Sequence, residues 1–185
     1  GLEAMGVAVW PMVKLEADDG LASAAYLAAK SKRVDKVCIW TPDKDLAQCV
    51  KGDRIVQIDR RANVIRDENA IEKKFGVIPA MIPDLLALVG DDADGYPGIP
   101  GIGKIGAAKL LNEYGPIEDF PDKVLGKNKE KALLFKDLAT LRTNAKLFKN
   151  VNELRWKGPT PAFAAYCKKI GDEKLYDRAV AASSR

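Results

Sequence analysis

The chain changes its hydrophobic rhythm near residue 79. Before it, short apolar runs alternate with polar, helix-forming segments. Val7-Ala8-Val9-Trp10-Pro11-Met12-Val13 is β-rich and predicts a buried strand, held to an edge or ended early by Pro11. An Ala-rich stretch, Leu21 to Lys30, predicts a helix. Val34 to Trp40 predicts a second strand and Leu46 to Val50 a short helix. Ile55 to Asp59 predicts a third strand, with Asn63 to Arg66 folding back on it as a hairpin. Asp67 is placed to cap a helix that runs through Phe75 and stops at Gly76. Alternating strands and helices predict an α/β fold with a mostly parallel sheet.

After Pro79 the pattern is helical. Helices are predicted over Pro83 to Val89 and Lys104 to Tyr114. In the latter, Ala107, Leu110, Leu111 and Tyr114 fall at i, i+3, i+4 and i+7, one face turned to a partner helix. A longer helical region is predicted from Lys127 to Phe148, then a short amphipathic helix from Ala162 to Ile170, with frayed residues from Ala181 to Arg185. At the other end, Gly1 to Gly6 reads as the last turn of a helix with Gly6 beyond its C-cap. Together with the absence of an initiator Met, this predicts a cut domain or a processed product. The expected division is an α/β part over residues 1–80 and a helical lobe over residues 81–185.

Composition removes several kinds of chemistry. There are 185 residues, 30 basic and 26 acidic, with a net charge of +4. That balance permits nucleic acid as a partner without requiring it. There is no His, which removes most hydrolase triads and zinc hydrolases. Cys38, Cys49 and Cys167 are an odd set without CxxC spacing, expected as buried or free thiols in a reducing compartment, the cytoplasm. No apolar run approaches the ~18–20 residues of a membrane span, so no membrane partner is expected. Trp10, Trp40 and Trp156 are expected in the core.

Three acidic clusters fall at predicted element ends: Glu16-Ala-Asp18-Asp19, Thr41-Pro-Asp43-Lys-Asp45, and Asp91, Asp92 and Asp94 after Gly90. Singly, each reads equally as a helix cap or a turn. Jointly they would repel one another unless divalent cations intervened. All-oxygen donors point to Mg²⁺ or Mn²⁺. Two such ions would activate water and steady a leaving oxygen, a role no His is present to take. Gly98 to Lys109 then offers either a tight turn or a helix-hairpin-helix. In the second reading Gly98, Gly101, Ile102 and Gly103 let backbone N–H groups approach a phosphate, Ile99 and Ile102 anchor the loop, and Lys104 and Lys109 add positive potential. The remaining basic groups, Arg60-Arg61 among them, read more readily as solvated faces.

In this order the three acidic motifs, followed by Gly90-Asp-Asp-Ala-Asp-Gly-Tyr-Pro-Gly-Ile-Pro-Gly-Ile-Gly103, resemble the 5′-3′ exonuclease and flap endonuclease family. Leu138-Ala-Thr-Leu-Arg-Thr and Glu153-Leu-Arg-Trp look like its free-standing bacterial form, which is similar to the 5′ nuclease domain of DNA polymerase I. The resemblance implies a PIN-like sheet domain with a helix-hairpin-helix lobe, and Mg²⁺-dependent cleavage at 5′ ends and flaps of branched or duplex DNA. It implies Glu16 and Asp18 as ligands of a first metal, Asp43 as a bridge, and Asp45, Asp91 and Asp94 around a second. Asp19 takes a capping role, and a K⁺ ion is expected on the carbonyls of the Gly98–Gly103 loop. The family also has an upstream segment with a further metal-binding Asp and a helical arch. On that resemblance this chain is a C-terminal fragment with an incomplete sheet, expected to need the N-terminal segment for catalysis. The competing expectation is a duplex-binding hairpin module without catalysis. A PIN-like relative acting on single-stranded RNA is a third.

Overall fold

The computed structural model describes residues 1–184, which form two compact units. One unit comprises residues 15–145, and the other residues 1–14 together with residues from 146 onward.

The larger unit begins with α1 (Ala17–Ala29), started by a reciprocal capping box between Glu16 and Asp19. β1 (Val37–Ile39) pairs in parallel with β2 (Ile55–Asp59), in a register that sets Val37 opposite Ile55 and Ile39 opposite Gln57. β3 (Val64–Arg66) returns antiparallel on β2, as the expected hairpin. The sheet order is β1-β2-β3, so one of its two pairings is parallel and one antiparallel. A 3-10 turn over Asp45–Cys49 connects β1 towards β2.

α2 (Glu68–Phe75) is capped by Asp67, whose Oδ1 accepts the Ala70 N–H at 2.9 Å, and is ended by Gly76 in the left-handed region. α3 (Ile82–Val89) has Pro83 in its first turn, where a missing N–H costs nothing. α4 spans Lys104–Tyr114, α5 Asp122–Leu125 and α6 Lys129–Ala139. Ala107 and Leu111 of α4 are buried, and Leu110 and Tyr114 pack against the same core, as their spacing predicts. That core joins Ala47, Val50, Ile71 and Val77 to Leu85, Leu88, Ile99 and Phe135. The 3-10 turn, α2 and the helical hairpin thus share one apolar interior, and α1 packs on the sheet in a second, built from Ala22, Ala25, Ile39, Leu46, Cys49 and Ile55. At its centre, Asp84 is 1% exposed, accepts the Ile117 N–H at 2.9 Å and meets Lys136 Nζ at 2.8 Å.

Several expectations are corrected. Val7 to Val13 forms no strand: it has no pairing partner, and Val13 is 93% exposed. The helix predicted over Lys127 to Phe148 is α6 alone, and the chain turns extended at Thr140 and stays non-helical through Phe148. The extended part is held by side chains far upstream. Gln48 Oε1 accepts the Leu141 N–H (3.0 Å), Asp19 Oδ1 the Arg142 N–H (2.7 Å) and Ser23 Oγ the Ala145 N–H (3.1 Å). Those three bonds claim N–H groups that a continuing helix would have used. None of the three Trp residues is buried; Trp40 is 65% exposed.

In the smaller unit, Gly6 takes φ +82° and the Gly6 and Val7 N–H groups bond back to Glu3 and Leu2, the pattern of a Schellman C-cap. Trp10 stacks on Phe148, and Trp156 Nε1 donates to the Met5 carbonyl at 2.8 Å. α7 (Ala162–Ile170) lies where its amphipathic pattern puts it. α8 (Glu173–Ser183) continues through Ala181 to Ser183, expected frayed; Arg185 lies outside the described residues. Among the described residues no helix is long and apolar enough to cross a membrane.

Candidate metal centre and phosphate-facing hairpin

Five of the six predicted carboxylates converge. Asp18, Asp43 and Asp45 can bring one oxygen each to within 4.8 Å of one another, and so can Asp45, Asp91 and Asp94. Asp45 is common to both triads, the place that the family resemblance gave to Asp43. Glu16 is in neither triad; it is exposed, and the α1 capping box engages its side chain.

Local backbone aims these groups. Asp18 stands in the first turn of α1. Asp43 Oδ1 accepts the Asp45 N–H at 3.2 Å, and Asp43 N–H donates to Thr41 Oγ1 at 3.2 Å, which folds the 41–45 segment into a tight turn. Gln57, fully buried on β2, donates its amide to the Asp43 carbonyl and ties that turn to the sheet. Asp91 Oδ1 accepts the Ala93 N–H at 3.1 Å. Asp43 and Asp91 therefore each commit one oxygen to their own turn, leaving the other for the site.

The electrostatics mark the cluster as under-compensated. Burial, then the charge of Asp43, pushes the Asp45 carboxyl up to about 7. Burial, then Asp43 and Glu16, also raises Asp18. Burial raises the Tyr96 phenol, and Asp45 and Asp91 add to it. Asp45 Oδ1 and the Tyr96 hydroxyl are buried without a hydrogen-bond partner, and Asp91 Oδ2 meets only the Lys44 ammonium. Orphaned oxygens gathered at one place, all hard donors and without His or Cys, fit a divalent cation of the Mg²⁺ or Mn²⁺ kind.

The acidic loop is continuous with the hairpin. Gly90 has φ +91° and Gly98 φ +70°, and the two residues lie backbone against backbone. A Cβ on Gly98 would sit 2.4 Å from Gly90 N and from Val89 C, and one on Gly90 2.5 Å from Pro97 C. Ile99, buried, donates its N–H to the Leu88 carbonyl at 2.9 Å, and Ile102 packs against the same core. Gly101 and Gly103 are different: both are exposed, and a Cβ on either would meet nothing within 4 Å. Gly103 opens α4 without any side-chain cap, so the helix presents its first N–H groups outward beside the exposed Lys104 and Lys109.

Sequence reasoning passed over Gln57, Tyr96 and Lys44. Gln57 is signalled by an amide in the middle of an otherwise apolar strand, Ile-Val-Gln-Ile. Tyr96 closes the acidic loop by pairing with Asp91. Lys44 lies between two of the clustered carboxylates in sequence, and its Nζ lies 2.5 Å from Asp91 Oδ2.

Two family models match the chain in tandem. The 5′-3′ exonuclease N-terminal resolvase-like domain covers residues 1–76, and the 5′-3′ exonuclease C-terminal SAM fold covers residues 77–162. The chain belongs to the 5′-3′ exonuclease family. The 5′-3′ exonuclease of Buchnera aphidicola subsp. Baizongia pistaciae is 35% identical to it over 153 residues, 83% of this chain and 49% of that protein. The Aquifex aeolicus 5′-3′ exonuclease is 44% identical over 119 residues, 64% of this chain and 40% of that protein. DNA polymerase I of Borreliella burgdorferi is 37% identical over 158 residues, 80% of this chain and 17% of that protein. The chain thus spans about half, or less, of the length of these relatives. Among solved structures, T5 5′-exonuclease with bound zinc superimposes with a TM-score of 0.63 at 20% identity, over 72% of this chain and 53% of that one. A T5 flap endonuclease complex with DNA and metal ions superimposes with a TM-score of 0.62 at 18% identity, over 95% of this chain and 62% of that one. At these identities the likeness is one of fold.

Proposed function

We propose that the chain carries the second-metal wall and the duplex-gripping hairpin of a divalent-metal-dependent 5′-3′ exonuclease or flap endonuclease that hydrolyses DNA phosphodiesters. The observation that supports it most is the pair of carboxylate triads joined at Asp45 and bordered by orphaned buried oxygens. Asp18, Asp43 and Asp45 would hold one Mg²⁺ or Mn²⁺ ion, and Asp45, Asp91 and Asp94 the other, with Glu16 near the first. Bound there, such ions supply a Lewis acid for the attacked phosphate and for the leaving oxygen. Functionally the chain divides into the nuclease part, residues 1–80, and the hairpin lobe, residues 81–185, with Asp91 and Asp94 reaching back across that division.

The protein's own groups supply position. Backbone N–H groups at Gly103 and Lys104, with the Lys109 ammonium, would receive a duplex phosphate, and Gly98, Gly101 and Ile102 shape that seat. A K⁺ ion on the carbonyls of the Gly98–Gly103 loop belongs to the same proposal. The substrate class is branched or duplex DNA with a 5′ end or flap, acted on in the cytoplasm. Further ligands of the first ion are assigned to the part of the relatives that this chain does not span.

The test is cleavage of a 5′-flap duplex with Mn²⁺ by the full-length protein. Asp43→Ala should abolish cleavage and keep duplex binding. Normal cleavage by that variant would overturn the metal assignment. A second reading, a duplex-binding hairpin without catalysis, draws on the local closure of the hairpin by the Gly90–Gly98 backbone contact and the Ile99 N–H bond to the Leu88 carbonyl. It predicts unchanged binding and no cleavage whatever the metal.

A further inference from the structure

Asp91 offers a metal one oxygen only. Its Oδ1 is taken by the Ala93 N–H, and its side chain is 3% exposed, so solvent does not reach it freely. The remaining oxygen, Oδ2, is where Lys44 sits, with Nζ 2.5 Å away. The same turn that carries Asp43 and Asp45 therefore also delivers an ammonium onto the third side of the second triad.

We propose that Lys44 is a built-in counter-cation of the second metal site, which a divalent ion must displace from Asp91 before it can bind. The inference rests on the two-metal reading above and goes beyond it. An ammonium in contact with Oδ2 and a divalent ion coordinated to Oδ2 exclude one another sterically and by charge. The Lys44 side chain is 38% exposed. Its flexible four-carbon stem leads to solvent, so the ammonium can leave without moving the backbone. The Asp18–Asp43–Asp45 triad has no such competitor among the described residues. The second site then fills at the expense of an ion pair, and the first without one. In metal-free protein, Lys44 offsets the mutual repulsion of Asp45, Asp91 and Asp94, which would otherwise push the acidic loop open.

The test is Mn²⁺ titration of the wild-type chain and of Lys44→Met, by calorimetry with bound ions counted by EPR. Methionine keeps the apolar stem and removes the charge. The weaker class of sites should tighten roughly tenfold or more in Lys44→Met, the scale of one lost close charge pair. The tighter class should stay within about twofold, and the gain should persist in about 0.5 M KCl, where a diffuse field would be screened. An unchanged or weakened second class, or a gain that vanishes in salt, overturns the proposal while leaving the two-metal reading in place. Failure of both proteins to bind Mn²⁺ overturns that reading and the proposal with it. Should Lys44→Met fail to fold, the wild-type chain decides: the Lys44 side-chain ammonium resonance should shift and exchange faster as Mg²⁺ saturates the second site. A resonance indifferent to Mg²⁺ overturns the exchange.

Discussion

Asp91 and Tyr96 face each other across an isolated β-bridge, with Asp91 N–H donating to the Tyr96 carbonyl at 2.7 Å and Tyr96 N–H to the Asp91 carbonyl at 3.0 Å. Directly paired residues put their side chains on one face. The Tyr96 ring lies between the acidic cluster and Phe135, on which it stacks at 5.4 Å. Its hydroxyl is buried without a partner. Tyr96→Phe should therefore stabilise metal-free protein by about 1 kcal/mol, the cost of an unmet polar group. Urea unfolding in EDTA checks it, and a loss of stability would show that the hydroxyl has a partner.

The raised carboxyl of Asp45 gives a pH dependence with a defined sign. Its folded value, about 7, lies above the ordinary 3.8. The folded state therefore binds the proton more tightly than the unfolded state. The stability this lends is fully present below 3.8 and is lost as pH rises through about 7. Metal-free protein should weaken between pH 4 and pH 7, and Mn²⁺ should restore it by replacing the proton. Mn²⁺ affinity should rise over the same window, with about one proton released in all as the shared site fills. Calorimetry in buffers of different ionisation enthalpy measures that proton.

Two glycines in one loop should respond oppositely. Gly98→Ala places a methyl 2.4 Å from backbone atoms at a residue with φ +70°, and should unfold the hairpin. A Cβ at Gly103 would meet nothing within 4 Å at φ −89°, so Gly103→Val should keep the fold and lose only about 1 kcal/mol from a poorer N-cap. Its side chain instead stands where a phosphate would sit. Duplex affinity should fall alike for every sequence, and the salt dependence should flatten. Unchanged affinity across a salt series would sink the phosphate seat.

Asp84→Ala should destabilise residues 15–145 without touching the metal site. It leaves Lys136, 21% exposed, with only Glu118 at 2.6 Å, and leaves the Ile117 N–H without its acceptor. Removing one partner of such a pair costs about 3 kcal/mol. Thermal melting measures the loss, and Mn²⁺ stoichiometry should be unaltered.

The elements that the sequence showed best are those whose ends are set locally. α2 runs from its Asp67 cap to Gly76, and α4 from Gly103 to Gly115, because caps and glycines act over a few residues. The misread segments depend on distant partners. Val7 to Val13 has the composition of a strand, but a strand exists only where a neighbour accepts its backbone. Thr140 to Phe148 has a helical pattern, yet its N–H groups are claimed by Gln48, Asp19 and Ser23, 93 to 123 residues upstream. At the site, residue type and spacing displayed the acidic clusters. The sharing of Asp45, the diversion of Glu16 into a cap and the arrival of Lys44 on Asp91 are matters of direction that spacing does not contain.

Seated on each other, Gly90 and Gly98 forbid independent movement of the acidic loop and the hairpin. In the proposed enzyme, a strand gripped at the start of α4 would stand at a set reach from Asp91 and Asp94. The cut would then be counted in nucleotides from the grip, with base identity dropping out of the reckoning. A residue inserted between Gly98 and Gly103 would alter that reach. The zero mark of that ruler would be a contact between two glycine backbones.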